Sequence, residues 1–139
     1  IKVIKEGALN SGFLDEEMEK VYRNALLLVD GLQNAPALIM CCLQGPIPEG
    51  GIHQSTYYGS IYPAIQNLML AARAKGIGST MTTLHKAREQ DIKDILAIPD
   101  NVETIALIPL GYPGGQWSRP KRKPQREVTF WDSWGNRKE

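Results

Sequence analysis

The stretch KGIGSTMTTLHK, residues 75–86, combines side chains that could hold a small molecule. Its two glycines allow the backbone to approach a ligand closely, and its four hydroxyl side chains can each donate or accept a hydrogen bond. It is not a phosphate loop, because it lacks the Walker lysine and the G-x-G-x-x-G spacing. A helix cap at Gly76 and the strand preference of threonine explain the same residues without a ligand. The residue types alone leave a turn and a binding loop both open.

A second candidate is the basic run RPKRKPQR, residues 119–126, whose arginines could bind phosphate through a bidentate guanidinium group. A solvated tail is the default interpretation of such a run. Sixteen Lys and Arg against fifteen Asp and Glu give a net charge of +1, so the molecule has no long-range attraction to nucleic acid or to a membrane surface. We expect no nucleic-acid partner, because no other basic stripe and no recognisable reading module accompany the run.

Metal binding and hydrolytic chemistry find no support in the sequence. His53 and His85 stand far apart without a further ligand at metal spacing, and His85 is expected at a helix end or on the surface. Cys41 and Cys42 are adjacent in an apolar run, which argues against a disulfide framework, and Ser60 lacks the G-x-S-x-G setting of a nucleophile. Without a signal peptide or a membrane-length apolar run, we expect a cytoplasmic protein with no membrane partner.

Apolar spacing of three and four residues predicts the helices that must position these groups. Residues 11–36 form an amphipathic helix with acids near its start. A second helix begins at Ser60 as N-cap, admits Pro63 in its first turn and ends at Gly76. Because apolar residues cover most of its circumference, we expect this helix in the interior. A charged third helix, residues 85–97, is expected to bury three side chains: Ile92, Ile95 and Leu96.

Two continuous apolar runs, residues 37–44 and 102–113, predict strands, the first of them covered on both faces. Residues 45–56 are rich in glycine and proline and predict a loop that could lie over a site. Residues 127–134, EVTFWDSW, predict a short strand whose aromatic side chains need a second surface. The alternation of helices with few strands is typical of a layered domain of helices and sheet.

Three consecutive blocks of the sequence together resemble the C-terminal two-thirds of the FMN-dependent nitroreductase superfamily. The blocks are YYGSIYPAIQNLMLAARAKGIGSTMTTLHK, DIKDILAIPDNVETIALIPLGYP and RPKRKPQREVTFWDSWG. The resemblance implies an α+β sandwich with a mixed sheet flanked by helices, in an intertwined homodimer with an exchanged C-terminal segment. On this basis residues 1–139 form a single, N-terminally incomplete domain, and residues 114–139 form an extended arm that packs on the partner subunit.

The resemblance also implies which residues bind the cofactor, FMN, at the subunit interface. The loop would lie along the flavin ring, with Thr82 or Thr83 near flavin N5; its cofactor-binding residues are Gly78, Ser79, Thr80, Met81, Thr82 and Thr83. Arg122, with Lys121 or Lys123 as alternates, corresponds to the basic residue on the FMN phosphate. Tyr57 and Tyr58 would line the substrate pocket. No essential side-chain acid or base is expected, because the flavin performs the chemistry.

The function implied is an FMN-dependent oxidoreductase that takes electrons from NADH or NADPH. It would reduce nitroaromatics, quinones or other electron-poor small molecules by hydride transfer in a ping-pong cycle. The family's N-terminal phosphate anchor, an Arg-Ser-x-Arg-like segment, does not occur in residues 1–139, and a single arginine is a weak counterpart to a phosphate dianion. We expect that anchor upstream of this chain. A non-catalytic flavin-binding protein or a truncated remnant is the alternative.

Overall fold

The computed structural model describes residues 16–45, 51–116 and 119–137. These ranges contain four α-helices, three β-strands and two short 3-10 helices. In chain order they are α1 (Glu16–Gly31), the 3-10 turn Leu32–Asn34, β1 (Ala37–Gln44), α2 (Gly51–Ala74), β2 (Gly78–Ser79), the 3-10 helix Leu84–Arg88, α3 (Glu89–Leu96), β3 (Val102–Gly111) and α4 (Gln125–Val128).

The three described strands form one sheet with β3 at its centre and the order β1-β3-β2. Both pairings are antiparallel, and β1 pairs with β3 along its whole length, with an irregularity between Cys41 and Cys42. Both cysteines are free thiols. The mixed sheet that the resemblance implies is not what these strands form. A parallel pair would need a further strand, and none lies in the parts of the chain that the structure describes.

The buried core is small and lies where α2 packs over the central strand. Ile65 of α2 and three side chains of β3 make up its fully apolar part: Ile105, Ala106 and Ile108. The prediction that α2 lies in the interior is therefore wrong for the described chain, since Leu70 of the same helix is 56% exposed. Leu70 thus belongs to an apolar surface of α2 that the described residues do not cover. No helix in the described ranges is both long and apolar enough to span a membrane.

The two strands predicted from apolar runs are confirmed, at Ala37–Gln44 and Val102–Gly111. The first of them is not covered on both faces, because Leu38 is half exposed. It pairs on one side only within the described sheet, so fewer neighbours cover it than a central strand would have. The helix predicted over residues 11–36 is confirmed from Glu16 onwards as α1 and the 3-10 turn, and its first residues lie outside the described ranges.

Helix α2 begins at Gly51, nine residues before the predicted N-cap Ser60. The predicted loop over residues 45–56 is wrong from Gly51 onwards, and residues 46–50 lie outside the described ranges. Ser60 is inside the helix and donates its hydroxyl to the carbonyl of Thr56 at 2.9 Å. Pro63 also lies inside the helix, and not in its first turn as predicted. The local signals for a helix start, Ser60 and Pro63, therefore predicted the start of α2 at the wrong position.

The third predicted helix divides into two parts at Glu89. Leu84–Arg88 is a 3-10 helix and Glu89–Leu96 is α-helical. Ile95 is 79% exposed and Leu96 is also exposed, so the predicted burial of both is wrong; Ile92 is half buried. The start of α3 instead directs the side chain of Glu89 towards Thr104 of β3.

The strand predicted over residues 127–134 is wrong. The helix α4 and a turn occupy this part of the chain, and the Phe130 and Trp134 rings pack together with centroids 4.7 Å apart. The guanidinium carbon of Arg137 lies 5.2 Å from the centroid of the Phe130 ring. The aromatic side chains thus pack against neighbours in the same segment and not against a paired strand. Trp134 is exposed on the surface.

Candidate functional site

The loop after α2 runs along the edge of the central strand. Its predicted cap is confirmed, since Gly76 has a φ of 75° and donates its N–H to Arg73, which ends the helix. Gly78 and Ser79 then pair with β3 as strand β2. Thr82 donates its N–H to the Leu107 carbonyl at 3.0 Å, and its own carbonyl accepts the Leu107 N–H at 2.9 Å. The backbone of the loop is therefore fixed on β3 at two points.

The two threonines that the sequence could not separate have different surroundings. Thr82 is only 7% exposed, and its hydroxyl oxygen accepts the N–H of Leu84 at 3.2 Å. Thr83 is exposed, and within the described residues its hydroxyl has no hydrogen-bond partner. Thr82 thus shapes the turn into the 3-10 helix, and Thr83 is the residue with a free donor. Thr80 and Met81 are exposed beside them.

Thr83 lies on the wall of a cavity of about 240 Å³. The cavity opens between the first half of α2, the loop and the start of β3; its lining residues are Tyr58, Tyr62, Thr83, Lys86, Glu103 and Ile105. The rings of Tyr58 and Tyr62 have centroids 6.5 Å apart and are tilted by 33°. The structure therefore brings Tyr58 and Thr83 to the wall of one cavity, whereas Tyr57 does not line it.

A hydrogen-bonded network forms the polar side of the cavity. The Tyr58 hydroxyl donates to the Glu103 carboxylate at 3.1 Å. The Lys86 ammonium contacts Oε1 of Glu103 at 3.0 Å and Oε2 of Glu89 at 2.8 Å. Oε1 of Glu89 accepts two hydrogen bonds from Thr104, one from its N–H at 3.1 Å and one from its hydroxyl at 2.7 Å. The network joins α2, the 3-10 helix, α3 and β3.

The ionisation of the network follows from these contacts. Burial opposes ionisation of Glu89, but hydrogen bonds from Lys86 and Thr104 outweigh it and lower the pKa of Glu89 to about 2. Burial also opposes the charge on Lys86, and the two carboxylates outweigh it, so the Lys86 pKa is raised. Burial and the hydrogen bond to Glu103 raise the pKa of Tyr58. At neutral pH Tyr58 is therefore an uncharged phenol, and Lys86 and Glu89 are both charged.

Sequence reasoning did not identify Lys86, Glu89 or Glu103 as site residues. Glu103 lies 45 residues after Tyr58, with which it bonds, and 17 residues after Lys86. No spacing rule connects such positions, because α2, the 3-10 helix and β3 come together only in the folded chain. One signal was present in the sequence, namely a glutamate near the start of the apolar run VETIALIP, where a charge must find a partner once the strand is covered.

His85 was expected at a helix end or on the surface. It is buried, so the expected surface position is wrong. It is 6% exposed, its Nε2 lies 3.5 Å from the Thr104 carbonyl, and its Nδ1 is buried without a partner in the described part of the chain. The ring packs beside a separate cavity of about 400 Å³ with mainly apolar walls, including Val29, Leu32 and Ile92. His85 therefore belongs to the interior between α1 and α3 and does not line the cavity at Thr83. The side chain of His53 lies outside the described parts.

The basic residues that the sequence assigned to a phosphate are exposed and precede α4. Arg122 donates to the carbonyl of Lys121 at 3.2 Å, and Lys123 is also on the surface. Over the described ranges, no hydrogen bond or ion pair joins these three side chains to the loop at residues 78–83. A single copy of the chain thus does not bring the two halves of the predicted cofactor site together.

Comparison with known proteins gives one family and a set of relatives. The model of the Nitroreductase family matches residues 5–112. A protein of Archaeoglobus fulgidus named "Putative NADH dehydrogenase/NAD(P)H nitroreductase" is 30% identical over 101 residues, which cover 71% of this chain and 57% of that protein. A protein of the same name from Methanothermobacter thermautotrophicus is 32% identical over 87 residues, or 59% of this chain and 42% of that protein. The chain spans about half the length of these curated relatives.

Solved structures share the fold. A nitroreductase-like family protein from Bacillus cereus superposes with a TM-score of 0.61 at 19% identity, covering 84% of this chain and 60% of that one. A BluB-like flavoprotein from Clostridium difficile 630 gives 0.57 at 21% identity, covering 84% and 67%. The α+β fold class and the resemblance drawn from the three sequence blocks are confirmed.

Proposed function

This chain belongs to the nitroreductase family, and on that basis we propose that it is an FMN-dependent oxidoreductase. It would take electrons from NADH or NADPH and pass them to nitroaromatics, quinones or other electron-poor small molecules in a ping-pong cycle. The observation that carries the proposal is the unpartnered Thr83 hydroxyl at an aromatic-walled cavity, on the loop whose sequence resembles the flavin loop of the family. Because both cysteines are free thiols, we propose a reducing, cytoplasmic compartment.

The loop fits the edge of a flavin ring. FMN, when bound, supplies the ring nitrogen that accepts and releases hydride, and the protein supplies position and electrostatics. Thr82 fixes the loop on β3 through its backbone and ties its side chain to Leu84. Thr83 would donate its hydroxyl to flavin N5. The backbone from Gly78 to Met81 would lie along the ring.

The phosphate half of the site needs a second copy of the chain. Lys121, Arg122 and Lys123 have no carboxylate partner among the described residues, so their charges are available to an anion. Among the described residues, no hydrogen bond or ion pair joins them to the loop of their own copy. We propose a homodimer in which the arm, residues 114–139, lies on the partner and brings these cations to the partner's FMN phosphate, with Arg122 as a bidentate donor.

The cavity beside Thr83 would receive the second substrate. The Tyr58 ring forms one wall, and its hydroxyl is held by Glu103 and stays protonated at neutral pH. A neutral, oriented phenol presents an apolar face to a flat ligand and reduces the water around it. Tyr57, which is exposed on the same helix and outside the lining, is proposed to contribute only to the rim.

Steady-state kinetics test this function. We expect the purified protein with saturating FMN to oxidise NADPH or NADH in the presence of menadione or nitrofurazone. Because donor and acceptor use one site in turn, reciprocal plots at several acceptor concentrations should be parallel. FMN binding without turnover would support the non-catalytic alternative, and absence of both would support a remnant. Intersecting lines would exclude the ping-pong order while leaving the oxidoreductase intact.

A further inference from the structure

The larger cavity beside His85, of about 400 Å³, has the size and the walls of a site for a small organic molecule. Its volume falls in the roughly 300–1,000 Å³ range that is typical of such sites. Five apolar side chains from five different elements line it: Val29, Leu32, Leu84, Ile92 and Leu107. All five are partly accessible to water. An apolar molecule in this cavity would cover that surface, and its burial would favour binding.

One polar atom of this wall is buried without a partner. His85 lines the cavity and is 6% exposed, and within the described residues its Nδ1 makes no hydrogen bond. Such atoms are rare in folded proteins, because a buried polar atom that has lost its water and gained no partner destabilises the fold. Nδ1 is therefore the atom at which a bound molecule would add a hydrogen bond.

The contact at the other ring nitrogen determines which kind of partner Nδ1 needs. Nε2 of His85 lies 3.5 Å from the carbonyl oxygen of Thr104, which can only accept a hydrogen bond. The neutral ring therefore carries its proton on Nε2, and Nδ1 presents a lone pair. A molecule with an O–H or N–H group supplies the donor that this lone pair needs. An ether, a ketone or a carboxylate does not.

Water alone fits this cavity less well than such a molecule does. A buried water molecule makes about three hydrogen bonds, and the other polar residues of the wall are Thr82 and Arg88. The Thr82 hydroxyl oxygen already accepts the N–H of Leu84, and the guanidinium group of Arg88 is largely exposed and pairs with Asp91. The rest of the wall is apolar. A mainly apolar occupant with one hydrogen-bond donor matches both properties of the wall.

We propose that this cavity binds a small, neutral, mainly apolar molecule that carries a single O–H or N–H donor, and that the donor bonds to Nδ1 of His85. Phenols are the simplest members of this class. The site is separate from the cavity at Thr83, although the two adjoin the same loop, since Thr82 lines the first and Thr83 the second. The inference does not depend on the proposed function, because it requires neither FMN nor turnover.

Titration of the flavin-free protein with 4-ethylphenol and 4-ethylanisole tests the inference, because methylation of the phenol removes its donor. We expect saturable binding by calorimetry, with the phenol bound about tenfold more tightly than the anisole. Long-range ¹H–¹⁵N NMR spectra should show the Nδ1 resonance of His85 moving with the phenol and staying in place with the anisole. The sequence has two histidines, so His53→Gln identifies the signals of His85.

Two variants and a control locate the binding. His85→Phe keeps an aromatic ring and removes Nδ1, so its affinities for the two probes should agree within about threefold. Ala87→Phe places a large side chain in the cavity wall and should abolish saturable binding of both probes. Ala74→Phe, at the exposed end of α2 and outside the lining, is the matched control and should bind both probes as the parent does.

Three results would each overturn the inference: equal affinity of the parent for the two probes, an Nδ1 resonance that the phenol does not move, and binding that Ala87→Phe leaves intact. Absence of saturable binding would also overturn it, and is the result expected if another part of the chain or a second copy fills the cavity. The NMR measurement uses a protein with His85 in place, so the test does not require His85→Phe to fold. A protein without FMN binding or turnover gives the same decision.

Discussion

Replacing Glu89 with alanine should lower the free energy of unfolding by about 3 kcal/mol, because two buried donors lose their acceptor. Thr104 is fully buried, and both its N–H and its hydroxyl donate to Oε1 of Glu89. The variant also takes one of two carboxylates from Lys86. Chemical denaturation followed by circular dichroism gives this value directly.

Two further variants show which property of Glu89 matters. Glu89→Gln keeps an oxygen acceptor for Thr104 but turns its NH2 group towards the Lys86 ammonium, and should cost about 1 kcal/mol, mostly from the lost contact with Lys86. Asp91→Ala removes a carboxylate of the same helix that pairs with Arg88 in solvent, and should change stability by less than about 0.5 kcal/mol. Equal losses for Glu89→Ala and Asp91→Ala would refute a structural role for the Thr104 hydrogen bonds.

The same contacts determine how stability changes in acid. The pKa of Glu89 is about 2 in the folded protein and 4.5 ordinarily, so the ionised form is favoured by folding. Its contribution is complete above pH 5 or so and is lost as the pH falls towards about 2. Unfolding measured across this range should therefore show a steeper acid loss in the parent protein than in Glu89→Gln, where the group no longer titrates.

Replacing Thr83 with valine should lower kcat for acceptor reduction by roughly 10- to 100-fold, with little change in stability. Valine matches the shape of threonine and removes only the hydroxyl, which has no partner in the described structure and which we propose to donate at flavin N5. Loss of one hydrogen bond that acts at the reacting atom is worth about 1.4–2.7 kcal/mol of the barrier. Stopped-flow reduction and steady-state assays measure the change.

The neighbouring threonine provides the matched comparison. Thr82→Val removes the acceptor of the Leu84 N–H and should lower stability by about 1–2 kcal/mol, with a smaller effect on kcat. Thr83→Ser retains a hydroxyl and should recover most of the rate. If Thr83→Val turns over like the parent, or if serine fails to restore the rate, the assignment of Thr83 to the ring edge is wrong.

The sequence alone predicted what depends on neighbours along the chain. The apolar runs at Ala37–Gln44 and Val102–Gly111 identified both long strands, and Gly76 marked the end of α2 through its left-handed backbone. The loop at residues 78–83 and Tyr58 were proposed as site residues because three blocks of sequence resembled one family. Their roles toward FMN, and those of Lys121, Arg122 and Lys123, remain predictions.

What the sequence did not predict depends on contacts between distant residues. Helix α2 begins nine residues before the predicted start, although its first residues are rich in glycine and in polar side chains. Tyr58, in this first part of the helix, donates a hydrogen bond to Glu103 of β3. Likewise, α3 directs Glu89 inward because Thr104 offers two donors there, which leaves Ile95 in solvent. The apolar periodicity predicted a buried Ile95, because a pattern of apolar spacing contains no information on which polar groups a distant strand presents.

Titration of the purified protein with FMN, followed by visible absorption and fluorescence, is the most direct test of the proposal that this chain forms a flavin site. We predict saturable binding of one FMN per chain, with weaker binding in Arg122→Ala and unchanged binding in the control Arg119→Ala. Riboflavin, which lacks the phosphate, should bind the parent and Arg122→Ala equally. A protein that is folded and dimeric, yet gives no spectral change with either flavin, would contradict the account.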